Sequence, residues 1–315
     1  MRPYQNFVLD KKIKGMLLVN QASGIKYKNS QGISILYKEN SETENHYFSP
    51  DGRIYSDKVS KFVCRCNERS KGAVIKRLTQ IYSHIFIDEV QDLAGYDLEL
   101  IKLLMAANLE IFLVGDPRQV TYLTHNPKKY TKYRDGKIKD FISAELSTKI
   151  FCEIDETTLA TSHRNNQEIC DLASKLHPDL PPSNSCECPS CLKLRDVSNR
   201  GIYLVHPDDV EDYLRDKSAI QLRWDRRVET SISTKAYNFG NSKGMGFDHV
   251  LIYPTDNMKN WIFDTNVDLN AVTRAKLYVA ITRARHSVAF VCDKNSQDYM
   301  AYNSSSRNSN KGQVA

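Results

Sequence analysis

The sequence predicts an α/β protein of two lobes, each built on a parallel sheet. Apolar strands alternate with amphipathic helices twice, once over residues 84–119 and again over 201–293. The strands read as short, nearly unbroken apolar runs, the pattern of parallel strands covered on both faces. The 315 residues also fit about two domains at roughly 150 residues each. The expected boundaries are a first lobe over 1–150, a second over 151–300 and a disordered Ser/Asn-rich tail over 301–315.

Composition removes several classes. With 41% hydrophobic and 26% charged residues, the chain can bury a core and is not disordered throughout. No apolar run approaches the roughly 20 residues that span a bilayer. The opening MRPYQNFVLDKKIKG has no apolar segment leading to a small-residue cleavage site. The expectation is a cytoplasmic protein with no membrane partner. Net charge is +6, and residues 1–80 alone hold 15 Lys/Arg against 7 Asp/Glu. Such a basic block suits a polyanion, although an ordinary solvated surface has the same composition. Eight cysteines without a secretory signal point to reduced thiols or a metal site more than to a disulfide framework.

In chain order, GISILYK (32–38) has strand composition and SPDGR (49–53) carries a turn signal. Residues 69–82 read as a short helix with Ala73, Ile75, Leu78 and Ile81 near one face. HIFIDEVQDL (84–93) is an apolar strand that ends in acidic residues, YDLELIKLLMAAN (96–108) has helical spacing, and EIFLVGDPRQ (110–119) is a second strand. Together they form a βαβ unit, and ligands gather at the carboxyl ends of such strands. TSHRNNQEICDLASKL (161–176) reads as a helix entered from a capping residue. Residues 177–201 are a Pro/Ser/Cys-rich excursion. GIYLVH (201–206), DDVEDYLRD (208–216), HVLIYP (249–254) and HSVAFVCD (286–293) continue the second alternation.

The chemistry starts where the first strand meets Asp88 and Glu89. One carboxylate at such a strand end can hold Mg²⁺ and the other can orient and deprotonate an attacking water. The residues around this pair resemble the UvrD/Rep branch of superfamily 1 DNA helicases. IDEVQDL (87–93) is similar to motif II, LVGDPRQVTY (113–122) to motif III and LATSHRNNQEI (159–169) to motif IV. NFGNSKGMGFDHVLI (238–252) resembles motif V and LYVAITRAR (277–285) motif VI. All five stand in the family's order.

The resemblance implies two RecA-like lobes, the first incomplete, with ATP between them and single-stranded DNA crossing their top. It gives Asp88 to Mg²⁺ and makes Glu89 the hydrolytic base. Gln91 and Gln119 would sense the γ-phosphate, and Arg164 and Arg283 would reach it with permanent positive charge. Gly244, with Gly240 and Lys243, falls in the motif V loop, where backbone approaches phosphate. Tyr122 matches an aromatic position near the DNA path. Arg274 lies in a second TRA triplet, AVTRAK (271–276), but the apolar LYVAI run favours Arg283 for motif VI.

Departures from the family matter as much. No G-x-x-x-x-G-K-[ST] string occurs, and the single Gly-Lys pair, Gly136-Lys137, is followed by Ile138. The implied chain is an N-terminally truncated or split helicase with weak or no ATPase alone. It would be completed by a P-loop-bearing partner chain and, by analogy with compact relatives, accompanied by a nuclease. The different-class alternative is a non-catalytic DNA-binding or regulatory subunit. In motif V, Gly246 replaces the usual Glu, and Asn238 and Gly240 replace Thr and His. Residues 165–237 are also too few for the large inserted domain of full helicases, which favours a compact translocase.

Two further clusters stand out. Cys186, Cys188 and Cys191 form C-x-C-x-x-C, three thiolates for a Zn²⁺ that wants four ligands. His177 or His206 would serve as the fourth, and reduced loop thiols are the competing reading. Lys128, Lys129, Lys132, Arg134, Lys137 and Lys139 interleave with Tyr130 and Tyr133, a pattern suited to phosphates and bases of a single strand or to a solvated loop.

Overall fold

The computed structural model describes residues 4–124, 129–195 and 200–302. Lys128 and residues 303–315 of the expected tail therefore lie outside the described residues. The chain divides into two compact units: Met1–Pro117 with Tyr122–Glu153, and Arg118–Thr121 with Ile154–Ala315. No helix among the described residues is long and apolar enough to cross a membrane.

The first unit holds strands β1 (Gly15–Leu17), β2 (Ile25–Lys28), β3 (Ser34–Leu36) and β4 (Arg53–Tyr55), with helices α1 (Thr43–Tyr47), α2 (Val59–Arg69) and α3 (Ala73–Ile81). β1 pairs in parallel with β4, and β2 and β3 form an antiparallel pair. Ile13, Tyr47, Phe48, Ile54, Phe62, Cys66 and Val74 make its core. The helix expected over 69–82 is α3, which starts only at Ala73, because Lys71 and Gly72 take φ of 53° and 86° between α2 and α3. Such left-handed residues end a helix, and glycine adopts them without a Cβ penalty.

Glu39 ties this region together. It accepts hydrogen bonds from Lys61 and Arg65 at 2.7 Å each and from the Tyr47 hydroxyl at 2.5 Å. Burial pushes its pKa up, but the bonds from Arg65, Lys61 and Tyr47 outweigh this and lower it from 4.5 to about 2. A carboxyl depressed in the folded state stabilises at pH above its unfolded pKa. That contribution fades as pH falls from about 4.5 towards 2. Wild-type protein is thus expected to lose about 2 kcal/mol across this window from Glu39 alone. Urea titrations at stepped pH check it: Glu39→Gln should be less stable at neutral pH and flatter below pH 4.5.

Strands β5 (His84–Ile87) and β6 (Glu110–Leu113) flank α4 (Tyr96–Met105) as the expected βαβ unit, paired in parallel from His84↔Glu110 to Ile87↔Leu113. α5 (Ile138–Glu145) follows. One sheet face packs on Leu98, Ile101, Tyr133 and Phe141 through Ile87 and Leu113. The other is open: Phe86 is 72% and Phe112 46% exposed, stacked on each other with centroids 4.9 Å apart. The fully buried sheet expected from the apolar runs is thus only half covered here. Among the described residues only β5 and β6 pair in this sheet, and no helix of this unit covers its second face.

The second unit contains β7 (Thr161–Ser162), α6 (Gln167–Ser174), β8 (Asn184–Ser185), α7 (Pro189–Arg195), β9 (Gly201–Val205), α8 (Val210–Lys217), β10 (Ile220–Arg223), β11 (Ala236–Asn238) and β12 (Phe247–Ile252). Then come α9 (Asp256–Phe263), α10 (Ala271–Thr282), β13 (Ala284–Val291) and β14 (Met300–Ala301). Six strands form one parallel sheet in the order β11-β10-β12-β13-β9-β14, and β7 pairs with β8 apart from it. Side chains alternate between its faces. Val250, Ile252, Val288 and Phe290 pack with α6, α9 and α10, whereas Leu251, Ala289 and Val205 pack with α8. Both faces are covered, which is why these strands are apolar at successive positions.

Candidate functional site

In the first unit the loops after β5 and β6 are laced together. Val114 N donates to Ile87 O at 2.9 Å and Val90 N to Val114 O at 3.1 Å. Asp88 is exposed at the end of β5, and its Oδ1 accepts from Glu89 N at 2.7 Å. Glu89 holds a left-handed backbone, φ 54° and ψ 38°. Non-glycine residues rarely adopt this, and where they do the surroundings must hold them there. Gln91, only 2% exposed, supplies such a hold. Its Nε2 donates to Glu89 Oε2 at 2.5 Å, and its Oε1 accepts from Asp116 N at 3.1 Å. Gly115 is required beside it, since a Cβ there would come within 2.3 Å of Gln91 Oε1. This set orients one carboxylate while leaving Asp88 open to a hard cation.

In the second unit, Arg283 ends α10 and is 2% exposed. Its Nε donates to Val279 O at 3.1 Å and Nη1 to Met245 O at 3.2 Å. Its Nη2 donates to Gln119 Oε1 and to Thr282 Oγ1, each at 3.3 Å. Gln119 is there because residues 118–121 belong to this unit. Arg118 donates to Pro181 O at 3.3 Å and Ser183 Oγ at 3.1 Å, and stacks over Tyr278.

Arg164 reaches the same place. Its Nη1 donates to Thr282 O at 3.4 Å, and among the described residues it has no carboxylate partner. Burial, followed by the like charge of Arg285, pulls its pKa below the ordinary arginine value. Asn165 and Asn166 fix the turn that carries it. Asn165 Nδ2 donates to Thr282 O at 3.1 Å and Ala284 O at 2.7 Å. Asn166 caps α6 by accepting from Ile169 N at 3.0 Å, and donates to His286 O at 2.9 Å. The capping residue expected at the start of this helix is Asn166, whereas the bonds of both asparagines to the β13 region carry no sequence signal. A Cβ on Gly246 would lie 3.3 Å from Arg164 Nε and 3.5 Å from Arg285 Nη2, so the glycine leaves this approach clear.

The two TRA triplets separate here. Arg274 pairs with Asp268 and lines a different cavity, beside Lys175, Asp179 and Trp261. Arg283, Arg164 and Gln119 gather by the motif V loop, where Gly244 has φ 80° with open space beside it and Lys243 is half-buried. They lie at the amino ends of β12 and β13, with Phe247 N donating to Arg283 O at 2.8 Å.

Of the expected DNA contacts, Tyr122 is 57% exposed. The basic segment after it is engaged internally. Lys129 pairs with Glu99 at 2.8 Å and stacks over Tyr96 and Tyr130, whose hydroxyl also donates to Glu99. Lys132 pairs with Glu145 at 3.4 Å, and Tyr133 is buried. Tyr133 is therefore a packing residue and not a platform for bases.

The thiols gather with an unexpected partner. The ligand atoms of His163, Cys186, Cys188 and Cys191 all lie within 4.8 Å of one another, with His163 Nδ1 at 3.4 Å from Cys191 Sγ. The two histidines expected as fourth ligand are elsewhere. His177 packs edge-on against Tyr278, and His206 sits beside Asp208. The pairing of β7 with β8 brings His163 back over the cysteine loop, a non-local contact that sequence spacing did not reveal. Bonds from Cys191 pull the Cys188 thiol below its usual value, and those of Cys188 push Cys191 up to about 11.

A family model for the UvrD/REP helicase N-terminal domain matches residues 5–176. No curated protein gives a significant match. Among solved structures, the PRRSV helicase is 21% identical, with a TM-score of 0.39 over 68% of this chain and 36% of its own. Arterivirus nonstructural protein 10, a helicase solved with DNA, is 17% identical, with a TM-score of 0.41 over 66% and 39%. The chain thus spans well under half the length of either structure. The family match covers more than half of the sequence and includes the acidic loop, the Gln119 segment and the Arg164 turn, so the chain belongs to the UvrD/REP helicase family.

Proposed function

We propose that the chain is a compact motor core of a UvrD-like DNA helicase or translocase, which couples ATP hydrolysis to movement along single-stranded DNA. The observation that carries this reading is the gathering of Arg164, Arg283 and Gln119 by the motif V loop, with Arg274 held apart. Two guanidinium groups placed together stabilise the charge that builds on a transferring phosphoryl group, and their planar forks suit phosphate oxygens. In the first unit, exposed Asp88 fits a Mg²⁺ ligand, and Glu89, held by Gln91, fits the group that accepts a proton from the attacking water. Mg²⁺, when bound there, would offset the negative charge of the phosphates. Tyr122, Lys132 and Lys243 are the side chains proposed to meet DNA, with Lys129 and Tyr130 released from Glu99 only on binding.

The residues present do not supply a cradle for the β- and γ-phosphates, because no Walker A string occurs in the sequence. The second reading is a subunit that binds DNA and completes an ATP site with a P-loop supplied from outside these 315 residues. Steady-state ATP hydrolysis with Mg²⁺, with and without oligo-dT, tests both. The 315-residue chain should bind oligo-dT with strong salt dependence, yet turn over no faster than its Glu89→Gln variant. DNA-stimulated turnover that Glu89→Gln abolishes would show that no external P-loop is needed. Failure to bind oligo-dT at low salt would remove the motor reading.

A further inference from the structure

We propose that His163, Cys186, Cys188 and Cys191 form a structural Zn²⁺ site that clamps the Arg164 turn to the cysteine loop. The geometry fits the ion. Tetrahedral Zn²⁺, with Zn–N near 2.0 Å and Zn–S near 2.3 Å, places its nitrogen and sulfur ligands about 3.6 Å apart and its sulfurs about 3.8 Å apart. The observed His163 Nδ1 to Cys191 Sγ distance is 3.4 Å, and no pair in the cluster exceeds 4.8 Å. Three thiolates and one imidazole fill four positions and leave none for water, as structural zinc sites do.

A second observation points the same way. Arg195 is 6% exposed and makes no ion pair among the described residues. Its Nη1 donates to the carbonyl of the ligand Cys186 at 2.6 Å and to the Ser185 hydroxyl, and Nη2 donates to Ser162 O at 3.0 Å. Its Nε has no partner. A buried guanidinium without a counter-charge is strongly unfavourable. Zn²⁺ with three thiolates and a neutral imidazole carries a net charge of −1, which is the missing counter-charge.

The consequence is mechanical. His163 precedes Arg164 directly, and Ser162 and Ser185 end the paired strands β7 and β8. Metal bonds from the cysteine loop to His163 would fix the backbone from which Arg164 projects. This effect on phosphate contacts rests on the proposed role of Arg164, whereas the metal site does not.

Elemental analysis of the purified chain should find one zinc per molecule, falling to near zero in Cys188→Ser and at least tenfold weaker in zinc affinity for His163→Ala. Replacement by Co²⁺ should give the visible d–d bands and near-ultraviolet thiolate charge transfer of a tetrahedral site. Chelation should speed amide exchange over residues 160–167 while leaving the six-stranded sheet protected, a readout that needs no nucleotide. Wild-type protein that takes up neither Zn²⁺ nor Co²⁺ while all eight thiols titrate as free would overturn the proposal. Unchanged zinc affinity in His163→Ala would overturn the ligand set, and unchanged exchange over 160–167 would overturn the clamp.

Discussion

Arg283→Ala is expected to destabilise the second unit by about 2–4 kcal/mol, because it removes a buried guanidinium that satisfies several acceptors at once. Val279 O, Met245 O, Gln119 Oε1 and Thr282 Oγ1 all receive its N–H groups, and the residue is 2% exposed. Alanine leaves these acceptors in a space closed to bulk water and leaves a void beside Thr282. Arg283→Lys should recover only part of the loss, since one ammonium cannot span the same fork. Arg274→Ala is the contrast. Its ion pair with Asp268 sits at the surface, Asp268 being 86% exposed, and such pairs contribute no more than about 1 kcal/mol. Both tryptophans, Trp224 and Trp261, belong to the second unit, so urea unfolding followed by tryptophan fluorescence reads this unit selectively.

The outcome for Arg283 and Arg274 also shows what the sequence can and cannot decide. Both arginines sit in a Thr-Arg-Ala triplet on the same helix region. The apolar run before Arg283 favoured it for motif VI, and in the structure that run packs as a buried helix end while Arg274 pairs at the surface. The long strands were equally legible: residues 84–87, 247–252 and 284–291 pair as apolar parallel strands. β10 and β11 were not, because they are short and polar. Gln221, wholly buried in β10, is tolerated by its bonds to Ser231 O and Thr234 O, partners no periodicity reveals.

The acidic loop stands, as expected, at the carboxyl end of β5, where the rule on ligands and parallel strands directs attention. That rule gave no help with the arginines, which lie at the amino ends of β12 and β13 and are held by Asn165, Asn166 and the motif V loop. His163 was missed for a related reason. Its neighbours in the cysteine loop come through strand pairing between segments far apart in sequence. Likewise the Lys/Tyr alternation after residue 128 looked like a nucleic-acid surface. Glu99 and Glu145, on α4 and α5, turn much of it inward.

The proposed role of Arg164 and Arg283 together is to hold the terminal phosphates of ATP. The largest functional effect should therefore appear in binding and not in turnover. Charge-assisted bonds to phosphate contribute about 1.5–3 kcal/mol each, so losing one guanidinium should weaken binding by roughly 10- to 150-fold. Isothermal titration of the 315-residue chain with tripolyphosphate and with Mg·ATP, at low ionic strength, measures this directly. Weak binding is expected in wild type, with at least tenfold loss in Arg164→Ala and in folded Arg283→Lys, and no change in Arg274→Ala. Equal affinity in wild type, Arg164→Ala and Arg283→Lys, or a loss confined to Arg274→Ala, would contradict it.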